Sequence, residues 1–83
     1  MQKQTSLTVD SIQDDGSFSA KVTSWIQDGD DRLGVKHWRA SSGGSDRLAN
    51  LIAPWVAELA AKGYPAIDAD ALDRMQGVVD ALA

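Results

Sequence analysis

The dipeptide Asp15-Gly16 constrains the fold most, because it separates two runs in which apolar and polar residues alternate. Asp-Gly between such runs is typical of a two-residue type I′ hairpin turn. A turn of this form pairs Gln13 with Phe18 and fixes the pairs that follow. These are Ser11 with Ala20, Val9 with Val22 and Leu7 with Ser24. The sequence therefore predicts a β-hairpin with one apolar face.

A third alternating run, residues 32–39, predicts a third antiparallel strand that returns through the Asp28-Gly29-Asp30-Asp31 loop and brings Ile26 against Leu33. The apolar face of the sheet would then carry Phe18, Val22, Ile26, Leu33 and Val35, with His37 beside Val22 and Val9. Strand side chains alternate between faces. The opposite face would therefore carry Lys21, Thr23, Trp25, Lys36 and Trp38.

The segment Ser41-Ser42-Gly43-Gly44-Ser45 marks the boundary between a strand-rich part, residues 1–40, and a helical part, residues 46–83. We expect the first helix to begin at Ser45 or Asp46 and to run to about Lys62, where Gly63 ends it. Its apolar stripe is Leu48, Leu51, Ile52, Trp55, Val56 and Leu59. Pro54 predicts a bend within this helix, or else a main helix that starts near Pro54.

The second helix is expected to begin at Asp68 or Asp70, since aspartate is a good N-cap. It would bury Leu72, Met75, Val79 and Leu82. Gly77 lies in the middle of this helix, where glycine costs about 1 kcal/mol relative to alanine. We therefore interpret Gly77 as the mark of a close crossing between the two helices.

These elements predict one α+β domain over residues 1–83. The architecture is a three-stranded antiparallel β-meander followed by two α-helices (β-β-β-α-α), with the helices packed on one face of the sheet. The net charge is −4 and there is no cysteine, which excludes disulfides and thiolate metal sites. The first residues lack the apolar segment of a signal peptide, so the composition favours a cytoplasmic protein.

The supply of reactive side chains is small: one histidine and one glutamate in 83 residues. A catalytic triad or a multi-histidine metal site cannot be assembled from these, so we predict no catalytic residue, no metal and no cofactor. The Asp28–Asp31 loop lacks the glycine position and the distant glutamate of an EF-hand. We interpret it as a charged turn whose carboxylates can face a basic partner.

The unusual surface is the second face of the sheet, where two tryptophans are predicted to be exposed beside lysines. Exposed aromatic residues of this kind are typical of protein interfaces. The predicted partner-binding residues are Trp25, Trp38, Lys21, Lys36, Thr23, Asp28, Asp30 and Asp31. An alternative is purely structural: Lys21 would face Trp38 in a cation–π contact, and Trp25 would cover Gly34.

Two class-level resemblances point to different functions. The meander with Gly16 and Val22, a third strand ending Trp38-Arg39-Ala40 and a helix with Trp55 resembles the arm-type DNA-binding domains of tyrosine integrases. That resemblance implies DNA contacts by Lys21, Arg32, Lys36 and Arg39, of which Lys21, Arg32 and Lys36 would lie on the exposed face.

The overall profile, small, acidic, alanine-rich and without cysteine, is similar to phage or mobile-element accessory proteins, including anti-CRISPR inhibitors. This second resemblance implies a protein that occludes a host nucleic-acid-handling complex. The negative net charge disfavours direct binding of nucleic acid. The sequence therefore favours a non-enzymatic protein-interaction module. The alternatives are a sheet-mediated DNA-binding domain and a homo-oligomeric protein that pairs through its open strand edges.

Overall fold

The protein is an α+β structure, as the sequence predicts; the computed structural model describes residues 1–43 and 47–82, without the side chain of Leu82. Three antiparallel strands form one sheet in the order β1-β2-β3. Two helices follow the sheet in sequence. The elements are β1 (Gln2–Asp10), β2 (Phe18–Asp28), β3 (Asp31–Ser42), α1 (Leu48–Ala61) and α2 (Ala69–Leu82).

One hydrophobic cluster joins a single face of the sheet to both helices, and we call this face of the sheet the helix side. Apolar side chains at alternate strand positions meet apolar side chains at helical spacing, which removes both from water. The buried members are Leu7, Phe18, Ala20, Val22, Leu48, Ile52, Leu59 and Val79. Phe18 and Val22 thus lie on the apolar face, as predicted.

The first hairpin has a longer turn than the sequence predicts. Leu7 pairs with Val22 and Val9 pairs with Ala20, which is two residues away from the predicted register. The predicted two-residue turn is therefore wrong, and residues 11–17 connect the strands instead. Because strand side chains alternate with a period of two, a shift of two residues leaves every side chain on its predicted face.

Local hydrogen bonds hold the 11–17 connection in shape. The backbone N–H of Gln13 donates to the Ser17 carbonyl at 2.8 Å, and that of Gly16 donates to the Gln13 carbonyl at 3.0 Å. One carboxylate oxygen of Asp15 accepts from the Ser17 hydroxyl at 2.6 Å and from the Ser17 N–H at 2.9 Å. These two bonds stabilise the charged carboxylate and lower the pKa of Asp15. Asp15-Gly16 is a turn, but within a longer loop.

The second hairpin contains a change of register that the simple alternation does not predict. Ile26 pairs with Leu33, as predicted, but two positions earlier in β2 Ser24 pairs with Lys36. Two residues of β3 therefore oppose one residue of β2, which defines a β-bulge. A one-residue slip moves side chains to the other face, so the predicted strand is inverted from Val35 to Arg39.

Gly34 makes the bulge possible. Together with Val35 it lies opposite Trp25, and its φ of +59° is in the left-handed region. A side chain is strained there, whereas glycine adopts this conformation at little cost. An isolated glycine in a strand is a recognised sign of a bulge.

Gly34→Ala should therefore lower the free energy of unfolding by about 1–2 kcal/mol, although a Cβ at this position would meet no atom within 4 Å. Gly77→Ala is the matched control, because Gly77 is exposed in the middle of α2 and has equally open surroundings. It should raise the free energy of unfolding by up to about 1 kcal/mol through helix propensity. Urea denaturation of both variants measures the two signs, and a stabilising Gly34→Ala would contradict the bulge.

The exposure of Gly77 also overturns the predicted close crossing of the helices at that position. One residue of α2 that does contact α1 is Gln76, which is 9% exposed. Its side-chain oxygen accepts the backbone N–H of Leu48 at 2.8 Å, and its amide donates to Asp80 at 2.9 Å. Gln76 therefore supplies, from another helix, the cap that the first turn of α1 needs.

Helix α1 begins at Leu48, after an extended Arg47, and passes through Pro54 as one continuous element. The alternative in which the main helix starts near Pro54 is wrong. The predicted caps Ser45 and Asp46, with Gly44, lie outside the described residues. Strand β3 continues to Ser42, so the boundary segment predicted at residues 41–45 begins two residues too early.

The predicted stop of α1 at Gly63 is confirmed, and of the two predicted starts of α2 the structure has Asp68, which directly precedes the first helical residue, Ala69. Gly63 has a φ of +83°, and its N–H and that of Tyr64 donate to carbonyls of the last turn of α1, each at 3.0 Å. This pair of bonds is a Schellman motif. The Asp68 carboxylate accepts the N–H of Asp70 at 3.3 Å.

Within the described chain, neither helix combines the length and apolarity that crossing a bilayer needs.

Candidate partner-binding surface

The face of the sheet that lies away from the helices, which we call the open face, is predominantly polar. The register places the following side chains on it: Gln2, Gln4, Ser6, Thr8 and Asp10 from β1, Ser19, Lys21, Thr23, Trp25 and Gln27 from β2, and Arg32, Val35, His37, Arg39 and Ser41 from β3. Three of these side chains are permanent cations and one is a carboxylate. The open face is therefore locally positive in a chain whose net charge is −4.

The predicted aromatic patch is wrong, because Trp25 and Trp38 lie on opposite faces of the sheet. Trp38 pairs with Val22 and packs against the hydrophobic cluster on the helix side. Lys36 lies on the same side, with its ammonium 5.7 Å from the centroid of the Trp38 ring. The bulge at Gly34 causes the inversion, since it turns every later residue of β3 over.

Trp25 lies on the open face, as predicted, but its ring is covered. Only 7% of the residue is exposed. The guanidinium of Arg32 lies 4.1 Å from the ring centroid, and the indole N–H donates to the side-chain oxygen of Gln27 at 2.9 Å. Cation–π stacking of this kind stabilises by about 0.5–1 kcal/mol at a surface. The ring of Trp25 thus provides a surface on which the guanidinium of Arg32 stacks.

Lys21 and Thr23 also lie on the open face, as predicted. Lys21 pairs directly with Arg39, so two cations stand side by side in neighbouring strands. Thr23 is 7% exposed, and its hydroxyl lies 3.0 Å from Nδ1 of His37. His37 is exposed on the open face rather than on the apolar face where the sequence placed it. The bulge accounts for this correction as well.

The three predicted aspartates lie together at the β2–β3 turn. Asp28 pairs with Asp31, and Gly29 and Asp30 form the two-residue connection. Gly29 has a φ of +59°, which is what the first central position of a type II′ turn requires. All three carboxylate residues are exposed. Within the part of the chain that the structure describes, no group of three His, Cys, Asp or Glu side chains could hold a metal ion.

Two apolar residues that the sequence assigned to the core are exposed next to this turn. Leu33 is 44% exposed and Val35 is 43% exposed. The register places Leu33 on the helix side, opposite Ile26, and Val35 on the open face near Trp25. Both faces of the hairpin therefore present an apolar side chain close to the turn.

Element lengths explain why the helices do not cover this part of the sheet. An eleven-residue strand such as β2 is about 37 Å long, whereas a fourteen-residue helix is about 21 Å long. The molecule is accordingly elongated, 41 Å by 24 Å by 20 Å. The turn end of the β2–β3 hairpin is therefore left uncovered. We call this region the tip surface: Trp25, Asp28, Asp30, Asp31, Arg32, Leu33 and Val35.

Comparison with known proteins found no family model, no curated protein and no solved structure that matches this chain.

Proposed function

We propose that this protein is a non-enzymatic interaction module that binds a partner protein through its tip surface. Of the predicted partner-binding residues, Trp25, Asp28, Asp30 and Asp31 belong to this surface. The observation that carries the proposal is the exposure of Leu33 and Val35, at 44% and 43%, on a hairpin end without a helix over it. Leu33 lies on the helix side and Val35 on the open face of this hairpin end, and exposed large apolar side chains are typical of interaction sites.

The arrangement of the tip surface fits the general anatomy of a protein interface. On each face of the hairpin end an exposed apolar side chain, Leu33 or Val35, stands beside charged side chains of the turn, and interfaces combine apolar and charged side chains in this way. The guanidinium of Arg32 stacks on Trp25, 4.1 Å from the ring centroid, and this contact favours one orientation of the side chain. A side chain ordered before binding loses less conformational entropy when a partner contacts it.

The charge of the turn supports a basic partner. Asp28, Asp30 and Asp31 are exposed and Arg32 is the only cation of the tip surface, so its net charge is −2. Proteins that handle nucleic acid carry basic surfaces that bind phosphates. We therefore propose, more specifically, that the protein is a phage or mobile-element accessory protein that occupies such a surface of a host complex and inhibits it.

Replacing both apolar residues of the tip, as Leu33→Ser/Val35→Ser, should weaken partner binding about 30-fold or more, since loss of an interface hot spot costs at least about 2 kcal/mol. The partner is first captured from nuclease-treated host lysate with the wild-type protein. Its dissociation constant is then measured by titration against each purified variant. Val78→Ser is the control, because Val78 is 51% exposed on α2, outside the tip surface. Equal affinity of wild type and the double variant would contradict the proposal.

DNA binding through the open face is a second candidate, and one observation favours it. Lys21 lies directly opposite Arg39, with Arg32 on the same face, so three cations can contact phosphates. Lys36, which the integrase resemblance implied, lies on the helix side, and Arg39 takes its place. The acidic helical side is screened at physiological salt, where the Debye length is about 8 Å. Omitting nuclease from the same capture distinguishes this function from the first.

A further inference from the structure

The outer edge of β1 has no strand partner among the described residues, although the side chains of Lys3 and Thr5 donate to the carbonyls of Lys62 and Pro65 in the α1–α2 connection. β1 is the first of three strands, and its nine residues contain no proline and pair with β2 without a register shift. Among the described residues, the backbone of β1 forms hydrogen bonds with β2 alone. A regular, unpaired edge of this kind is a template for another strand. The outer edge of β3 is different, because the bulge at Gly34 and several cations interrupt it.

An apolar groove runs beside the β1 edge on the helix side. It lies between the strand and α2, has a volume of about 260 Å³, and is lined mainly by Leu7, Val9, Ile12, Met75 and Val78. Val78 is 51% exposed. A second strand added at the edge would place its own helix-side residues next to this groove. The edge therefore offers both backbone hydrogen bonds and apolar contacts to the same occupant.

We propose that the occupant is a second copy of this chain, whose β1 pairs antiparallel with the first about a two-fold axis at Leu7. The pairing is self-complementary over Gln4–Asp10. Leu7 meets Leu7 of the second copy, Thr5 meets Val9, Ser6 meets Thr8 and Gln4 meets Asp10, so no like charges stand opposite each other. Leu7 borders the groove in each copy, and the two grooves meet at the axis.

This dimer is an isologous assembly with one six-stranded sheet, in which both β1 edges are removed from solvent. β3 becomes the outer strand at each end. The two tip surfaces therefore remain accessible, and the dimer is independent of the partner proposed above.

Like charges introduced on either side of the axis test the pairing. In Ser6→Lys/Thr8→Lys, each new lysine faces a lysine of the second copy, and in Ser6→Glu/Thr8→Glu each glutamate faces a glutamate; both positions lie on the open face, away from the hydrophobic cluster. Like charges placed directly opposite each other destabilise strand pairing. Sedimentation equilibrium should show a wild-type dimer and, for each variant, a dissociation constant at least about 10-fold higher. An equimolar mixture of the two variants should restore a dimer.

The control variant Val35→Lys/Ser41→Lys adds the same charge to the exposed open face of β3 and should dimerise like wild type. Circular dichroism checks that all variants fold. A wild type that stays monomeric up to about 1 mM overturns the proposal, because such an interface would contribute less than about 4 kcal/mol. It is equally overturned if the Lys and Glu variants dimerise as tightly as wild type, or if their mixture stays monomeric.

Discussion

Trp38→Ala should lower the free energy of unfolding by about 3 kcal/mol. The Trp38 side chain lies on the helix side, pairs with Val22, and packs against the hydrophobic cluster. Its removal would leave a cavity between the sheet and the helices, and tryptophan-to-alanine changes in such places cost about 3–5 kcal/mol. We take the lower end of this range because the side chain is only half-buried.

Urea denaturation followed by circular dichroism measures this loss for Trp38→Ala. Trp38→Phe is the control, since an aromatic ring of smaller volume keeps most of the packing and should cost less than half as much. Regular alternation without a bulge would place Trp38 on the open face. A change below about 0.5 kcal/mol, typical of surface substitutions, would therefore show that the bulge is absent.

Trp25→Ala is expected to have an effect of similar size, also about 3 kcal/mol, although Trp25 lies on the open face. The residue is 7% exposed, so truncation uncovers the surrounding strand surface and removes a large apolar contact. It also removes the support of Arg32 and leaves the Gln27 side chain without the indole N–H that it accepts. Trp25 is thus a structural residue of the tip surface.

The control for Trp25 separates the ring from its cation. Arg32→Gln removes the guanidinium but keeps the indole in place, so it should cost only about 0.5–1 kcal/mol. Urea denaturation of Trp25→Ala, Arg32→Gln and the double variant gives the coupling between the two residues. If Trp25→Ala leaves the stability unchanged, the indole is not covered. Trp25 would then be an exposed aromatic residue, as the sequence predicts.

Neither tryptophan variant is therefore a clean probe of partner binding, because both are expected to weaken the fold. The exposed patch predicted from the sequence implies that either truncation abolishes binding and leaves the fold intact. The structure instead predicts that either truncation weakens the fold itself. Leu33 and Val35 are better probes of binding, because their exposure means that serine at these positions removes little buried area.

Local rules predicted much of the fold. The α+β element order, the Gly63 stop of α1 and the Asp68 start of α2 follow from backbone preferences that act within a few residues. The error in the first hairpin left every face unchanged, since the register moved by two residues. The error in the second hairpin inverted half of a strand, since the register moved by one.

One of the missed features, the bulge, has a signal in the sequence. Gly34 inside an alternating strand indicates a bulge, although not which face the later residues take. The exposure of Leu33 and Val35 has no such signal, because the third strand predicted at residues 32–39 is about 27 Å long and the predicted first helix is about 26 Å long, whereas β3 in the structure is longer and α1 is shorter. Gln76 carries no such signal, because its cap on Leu48 depends on how the two helices meet.

We propose that the tip surface, and not the rest of the sheet, binds a partner. The most direct measurement is a titration of ¹⁵N-labelled protein with the captured partner, followed by amide chemical shifts in NMR spectra. We predict that the largest shift changes fall on residues 25–35. Changes centred on Lys21 and Arg39, with residues 25–35 unaffected, would contradict the claim and favour the cationic part of the open face as the binding site.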